Sequence, residues 1–225
     1  MFEVLTYEIE TQGREKGLEG LVAVNHALLQ VKNPDHPDAV FLIPNTEDNE
    51  LSIFEGAREL FVEDVCDNFL ILDGAEDNGY PGYENWYNRF NQLVPGARIG
   101  MVPIADRRGV NTLSKFVALM PYAREKGIVS VYIVAAQFHQ LRAFMTGASV
   151  ALREYPELKI YVHPATEWPW DVVVTHSQGT KRGTRRELIG MEFDSIVTYQ
   201  NDAKIGVKPN SIEPTARILD YIKHL

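Results

Sequence analysis

Apolar residues gather in short continuous blocks along this chain. Five stand out: Ala39–Pro44, Phe69–Asp73, Arg98–Ile104, Val129–Ala136 and Leu158–Val162. Each is rich in Val, Ile, Leu, Phe or Tyr and has the length of a strand. Most read as unbroken rather than alternating, which predicts strands covered on both faces. Between the blocks the apolar spacing changes to three and four. Leu51, Phe54, Ala57, Leu60 and Phe61 recur in this way over Glu50–Val65 and predict a helix. Tyr83–Leu93 is a weaker helix, stopped by Pro95-Gly96. Thr112–Lys126 carries Leu113, Phe116, Val117, Met120 and Ala123 on one face and stops at Gly127. Pro121 inside it is expected to kink it. Phe138–Tyr155 predicts a longer helix ended by Pro156. Leu18–Gln30, Arg185–Gln200 and Ile212–His224 complete the helical stretches.

Strands alternating with helices predict parallel βαβ units. The expected fold is a Rossmann-like three-layer α/β/α sandwich with a mainly parallel central sheet. It forms one domain over 1–225, with its core at about 39–200 and helical extensions at both ends. Asn33-Pro34-Asp35-His36-Pro37 is a rigid connector into the first strand. Gly179–Gly183, with Lys181 and Arg182, reads as a mobile basic loop. Neither is long enough to separate domains.

In such a sheet, ligands bind beyond the carboxyl ends of the strands. The segments that follow the first four strands are unusually polar. They bring Asn45 and Thr46, then Asp73-Gly74, then Asp106 with Arg107 and Arg108 leading to Asn111-Thr112, then Gln137, His139 and Arg142. If the strands are parallel, all four segments open on one edge. Asn111-Thr112 reads either as an ordinary helix cap or as a cap whose free amides hold an anion. His139 and Arg142 share a helix face and suit a phosphate or carboxylate. His139 also reads as a satisfied, half-buried histidine. Asp73 reads as turn chemistry, or as a partner for a ribose hydroxyl or a metal. Asp106 reads as part of a solvated charge cluster. Trp168-Pro169-Trp170 is a packing loop or a lid over a flat ligand. His163 and His176 lie too far apart to read as a zinc pair by spacing, and Asp171 and His176 are minor site candidates.

Composition narrows the classes. The 31 acids outnumber the 22 Lys and Arg, for a formal charge of −9, so bulk phosphate neutralisation of nucleic acid is not expected. The 45% apolar and 24% charged content is that of a globular domain rather than a disordered one. The single Cys66 excludes an internal disulfide, and its acidic neighbours disfavour a thiolate. Met1–Glu10 lacks the basic start and apolar run of a leader, and no block has the length of a membrane span. The reading is therefore a cytoplasmic protein with no membrane partner. Dinucleotide, phosphate-loop, zincin and hydrolase-elbow motifs are absent from the sequence.

Asn111-Thr112 opening a helix, the strand Val129-Ser-Val-Tyr-Ile-Val and then Phe138-His139-Gln-Leu-Arg142-Ala143 together resemble the SanA/ElyC/YdcF-like family, a domain-of-unknown-function family. Asp73-Gly74 is similar to its turn after the second strand. Ala57 and Leu60 fit its first helix, and Arg185-Arg186-Glu187-Leu188 through Glu192 its terminal Arg/Glu-bearing helix. The similarity covers about Ala39 to Gln200. Where the family has Asn-Thr-x-x-Asn, this chain reads Asn111-Thr112-Leu-Ser-Lys115. The resemblance implies a cleft for a nucleotide-like or phosphorylated ligand, and S-adenosylmethionine is linked to the family. The expected site has His139 as positioning or acid/base group, with Asn45, Asp73, Gly74, Asp106, Asn111, Thr112, Gln137 and Arg142 binding the ligand. Two further readings stand beside it. One is a metal-assisted phosphoester or glycosyl-phosphate hydrolase or transferase using Asp73 or Asp106. The other is a non-catalytic interaction module.

Overall fold

The computed structural model describes residues 17–176, 179, 181–204 and 212–225. Met1–Glu10, read above for a leader, and Thr180 of the basic segment lie outside them. The chain runs from a helix α1 (17–28) into β1 (Ala39–Leu42), α2 (Glu47–Val62), β2 (Asn68–Leu72), α3 (Tyr83–Leu93) and β3 (Arg98–Val102). Then follow α4 (Thr112–Lys126), β4 (Ser130–Ala135), a 3₁₀ turn (Gln137–His139), α5 (Gln140–Glu154) and β5 (Lys159–Pro164). A short pair β6 (Val173–Thr175) and β7 (Arg182–Thr184) precedes α6 (Arg185–Lys204) and α7 (Thr215–Lys223).

Five strands form one all-parallel sheet in the order β3-β2-β1-β4-β5. Phe41 of β1 lies opposite Leu70 on one side and Ile133 on the other. Strand side chains alternate between faces, so both faces must be apolar to be covered. Ala39, Phe41, Ile133 and Ile160 face α1, α4, α5 and α7, where Leu21, Phe116, Phe144 and Ile218 meet them. Val40, Leu42, Phe69 and Val134 face α2 and α3, where Phe54, Ala57, Trp86 and Phe90 meet them. The result is the expected Rossmann-like three-layer sandwich. Among the described residues no helix is long and apolar enough to cross a membrane.

Two local expectations changed. The segment read as one helix from Phe138 opens as a 3₁₀ turn before α5. The segment read as a mobile loop carries β7, which pairs antiparallel with β6 from Val173↔Thr184 to Thr175↔Arg182. α4 spans Thr112–Lys126 with Pro121 inside it, and Gly127 closes it with a φ of 68°. That left-handed value favours glycine at the cap.

Close approach of α4 and α5 depends on Gly147. A Cβ there would fall 2.6 Å from the Phe116 ring. Phe116 is fully buried and packs edge-on against Phe41 with ring centroids 5.9 Å apart, so it has no room to yield. Gly147→Ala should destabilise the protein by about 1–3 kcal/mol through overpacking. Gly190→Ala, in α6 with no atom within 4 Å of a new Cβ, should instead stabilise it by up to ~1 kcal/mol. Urea unfolding of the two variants checks both signs.

Candidate functional site

Strand order reverses between β1 and β4, because β2 and β3 lie on one side of β1 and β5 lies beyond β4. The chains leaving their carboxyl ends therefore diverge and leave a crevice there. Thr112 at the start of α4, and His139 and Arg142 around the start of α5, are buried in that region.

A carboxylate organises them. Glu192 of α6 is almost fully buried, on a stripe with Arg185, Leu188 and Ile196 that faces inward. Its Oε1 accepts from His139 Nδ1 at 3.0 Å, Arg142 Nη2 at 3.0 Å and His176 Nε2 at 2.9 Å. Its Oε2 accepts from Arg142 Nε. Burial alone would raise this carboxyl. The charges and hydrogen bonds of His139 and Arg142, with His176, overcome burial and hold it well below the usual range. Burial pushes His139 down to about 4, with Arg142 and Lys115 adding to the shift. The imidazole is thus neutral at pH 7 and donates from Nδ1. Its Nε2 lies 3.4 Å from Thr112 Oγ1, which accepts from Arg142 Nη1 at 3.1 Å. Thr112 then donates to His139, completing a closed circuit.

Lys115 lies one helical turn after Thr112 and is also buried. Its ammonium donates to the Pro44 carbonyl at 2.7 Å. Burial, then the nearby Arg142, pushes it down to about 7, with Glu192 opposing. Arg142 is matched by Glu192, so protonated Lys115 leaves this buried group with one surplus positive charge. Lys115 borders a cavity of about 20 Å³ with Pro44, Leu72, Tyr80 and Val110. That is room for roughly one water. Outside it lies an open polar groove of about 500 Å³, walled by Glu47, Ala75–Pro81 and Arg108. The two share Ala75, Asp77, Asn78 and Tyr80.

Asn45 begins a second polar knot at the start of α2. Its Oδ1 accepts from the Thr46 amide at 2.9 Å, and Asn49 Nδ2 donates to Thr175 O at 2.9 Å. Asp48 Oδ2 accepts from the Thr175 amide at 2.7 Å. These bonds fasten β6 to α2. Among the described residues the buried Asn45 Nδ2 has no hydrogen-bond partner.

Of the residues expected from sequence, Thr112, His139 and Arg142 come together directly, and Asn45 adjoins Pro44 beside Lys115. Asn111 spends its side chain as a cap, accepting from Ser114 N at 2.9 Å in a reciprocal box. Asp73 is paired with Arg107 at 2.7 Å, and Gly74 lies against the Tyr80 ring. Asp106 is exposed and accepts from the Arg108 amide at 3.0 Å. Gln137 borders a different, largely apolar cavity beside α1 and β5. Among the described residues no group of three or more His, Cys, Asp or Glu is arranged to hold a metal ion. Lys115 and Glu192 are not among the site residues expected from sequence, and His176, a minor candidate there, joins the cluster through Glu192. The signal for Lys115 and Glu192 was a charge on an inward stripe: Thr112, Lys115, Phe116 and Leu119 in α4, and Leu188, Glu192 and Ile196 in α6.

No family model, curated protein or solved structure matches this chain.

The neutral, buried His139 fixes the sign of an acid transition. Its folded pKa of about 4 lies below the ordinary 6.5, so the unfolded chain binds the extra proton between those values. Stability should therefore fall as pH drops from 6.5 to 4, by on the order of 3 kcal/mol from this group. Glu192 adds its own loss only below about 4.5. In His139→Asn its share of the slope between pH 6.5 and 4 should vanish, leaving that of His163, which burial also lowers. The steeper fall below pH 4.5 should remain. Urea midpoints across this range measure it.

Proposed function

We propose that this chain binds a small anionic metabolite, nucleotide-like or phosphorylated, in the crevice where strand order reverses. The observation that carries the proposal is the buried Lys115 ammonium, which has a backbone carbonyl rather than a carboxylate as its partner. A buried cation without a counterion is costly, and an anionic ligand supplies one. The ligand's anionic group would approach Lys115 from the outer groove, past the residues that the small cavity shares with it. Its body would lie in the outer groove, where Glu47, Asp77, Asn78 and Arg108 offer hydrogen bonds to hydroxyls and amines. Arg142 and His139 act on the anion's surroundings, through Thr112 and the field of the cluster. Lys115 is the acid/base group that meets the anion, and His139 stands behind it with Nε2 accepting from Thr112. The resemblance to the SanA/ElyC/YdcF-like family supports the same ligand class. The rival hydrolytic reading draws less support, because Asp73 and Asp106 are already engaged by Arg107 and the Arg108 amide.

The test is calorimetric titration with inorganic phosphate, adenosine monophosphate, a sugar phosphate and S-adenosylmethionine. A phosphate-bearing ligand should bind at pH 6.5 and weaken by up to about tenfold per pH unit once pH exceeds 7, because binding requires protonated Lys115. Lys115→Met should weaken binding by roughly 10–100-fold and remove that pH dependence. Binding of S-adenosylmethionine alone would make a carboxylate the recognised anion. Undiminished affinity in Lys115→Met, or no binding across the panel, refutes the reading.

A further inference from the structure

β6 and β7 form a two-stranded antiparallel pair, so β6 has a second edge. Val172 O accepts from the Arg185 amide at 3.2 Å, and the His176 amide donates to Lys181 O at 2.8 Å, one at each end of the pair. Backbone groups alternate in direction along such a ladder, so Val173 and Thr175 present theirs to the other edge. At Thr175 that edge is closed. Its amide donates to Asp48 Oδ2 at 2.7 Å and its carbonyl accepts from Asn49 Nδ2 at 2.9 Å. At Val173 it is open. Among the described residues neither its amide nor its carbonyl has a hydrogen-bond partner, and Val173 is 54% exposed.

The open edge borders a cleft of about 730 Å³ between β6, α2 and α3. Leu51 and Phe54 of α2, Leu93 at the end of α3 and Val174 give it apolar walls, and Leu51 is 42% exposed. Its surroundings are acidic. Glu47, Asp48 and Glu50 line it, and the exposed Glu167 and Asp171 adjoin Trp168 and Val172 of its wall. The arginines there are largely spent: Arg89 pairs with Glu47 and Glu50, and Arg185 is buried 5.3 Å from the Trp168 ring centre. An unpaired edge beside an apolar cleft is the arrangement that receives an added strand. We infer that this face docks an extended, basic segment of another protein as a third strand on β6. One residue of that segment exchanges both backbone bonds with Val173, which an antiparallel pairing allows. Its two neighbours point to the opposite face, where Val174 and Phe54 lie in one apolar cluster. Lys or Arg at its ends meets the acids, and a segment carrying Asp or Glu there is repelled.

The probe is the capped peptide Lys-Leu-Val-Leu-Lys, titrated into the full chain by calorimetry. It should bind at least tenfold more tightly than the same peptide N-methylated at its central valine, than Lys-Gly-Val-Gly-Lys or than Glu-Leu-Val-Leu-Glu. Val173→Pro removes the open amide without touching a bond between β6 and β7, and should weaken binding about tenfold. Asp171→Lys, at an exposed position, should weaken the lysine peptide and strengthen the glutamate one. Lys115→Met should change nothing, so this docking stands or falls apart from the crevice reading. No binding at millimolar concentration, or equal binding of the N-methylated or glutamate peptide, would overturn the proposal. Tighter binding of a peptide copying Met1–Glu10 would give the face to this chain's own start. A dimer in solution that Val173→Pro makes monomeric would give it to a second copy. Either result overturns the assignment to another protein.

Discussion

The carboxylate of Glu192 is the contact on which the carboxyl edge of the sheet depends. A charge buried in an apolar layer is tolerated only when its neighbours repay the lost hydration. Here three side chains from three separate segments do so: His139 from the 3₁₀ turn, Arg142 from α5 and His176 from just beyond β6. One acid thereby ties α6, α5 and the β6–β7 pair to the carboxyl edge of the sheet. It also decides which cation stays available. Because Arg142 is neutralised within the protein, Lys115, a helical turn beyond Thr112, carries the surplus charge.

The sandwich was largely legible because its signals are redundant. β1 and β4 read as continuous apolar runs since α-helices cover both of their faces, and α3 and α4 have the bounds their periodicity gives. The β6–β7 pair was not legible. Each strand has three residues, and Arg182-Gly183-Thr184 has no apolar alternation. Its position is set by Asp48 and Asn49, about 126 residues away from Thr175, and no local pattern reveals that. The site divided in the same way. Thr112, His139 and Arg142 follow from topology, since parallel strands deliver them to one edge. Asn111, Asp73 and Asp106 sit on that edge too, but each satisfies a nearby cap, arginine or amide first. Short-range partners take precedence where the geometry permits them, because they cost little further ordering.

The net charge of −9 and the cationic cluster act over different distances. An anion approaching from solvent meets an acidic surface whose repulsion is screened within about 8 Å at physiological salt. Inside the crevice, Lys115 acts at short range in a less polar surrounding, where an ion pair counts for more. Such a surface slows encounter with anions in general.

The central strand β1 pairs with β4 from Ala39↔Val131, so the middle of the sheet waits for more than 90 further residues. Glu192 lies another 50 residues beyond Arg142. During synthesis from the N-terminus, the sheet and its arginine are therefore complete before their counterion has been made. Until Glu192 emerges, Arg142 has no carboxylate to neutralise it. Closure of α6 over it is the step that turns an exposed cationic seam into a finished interior.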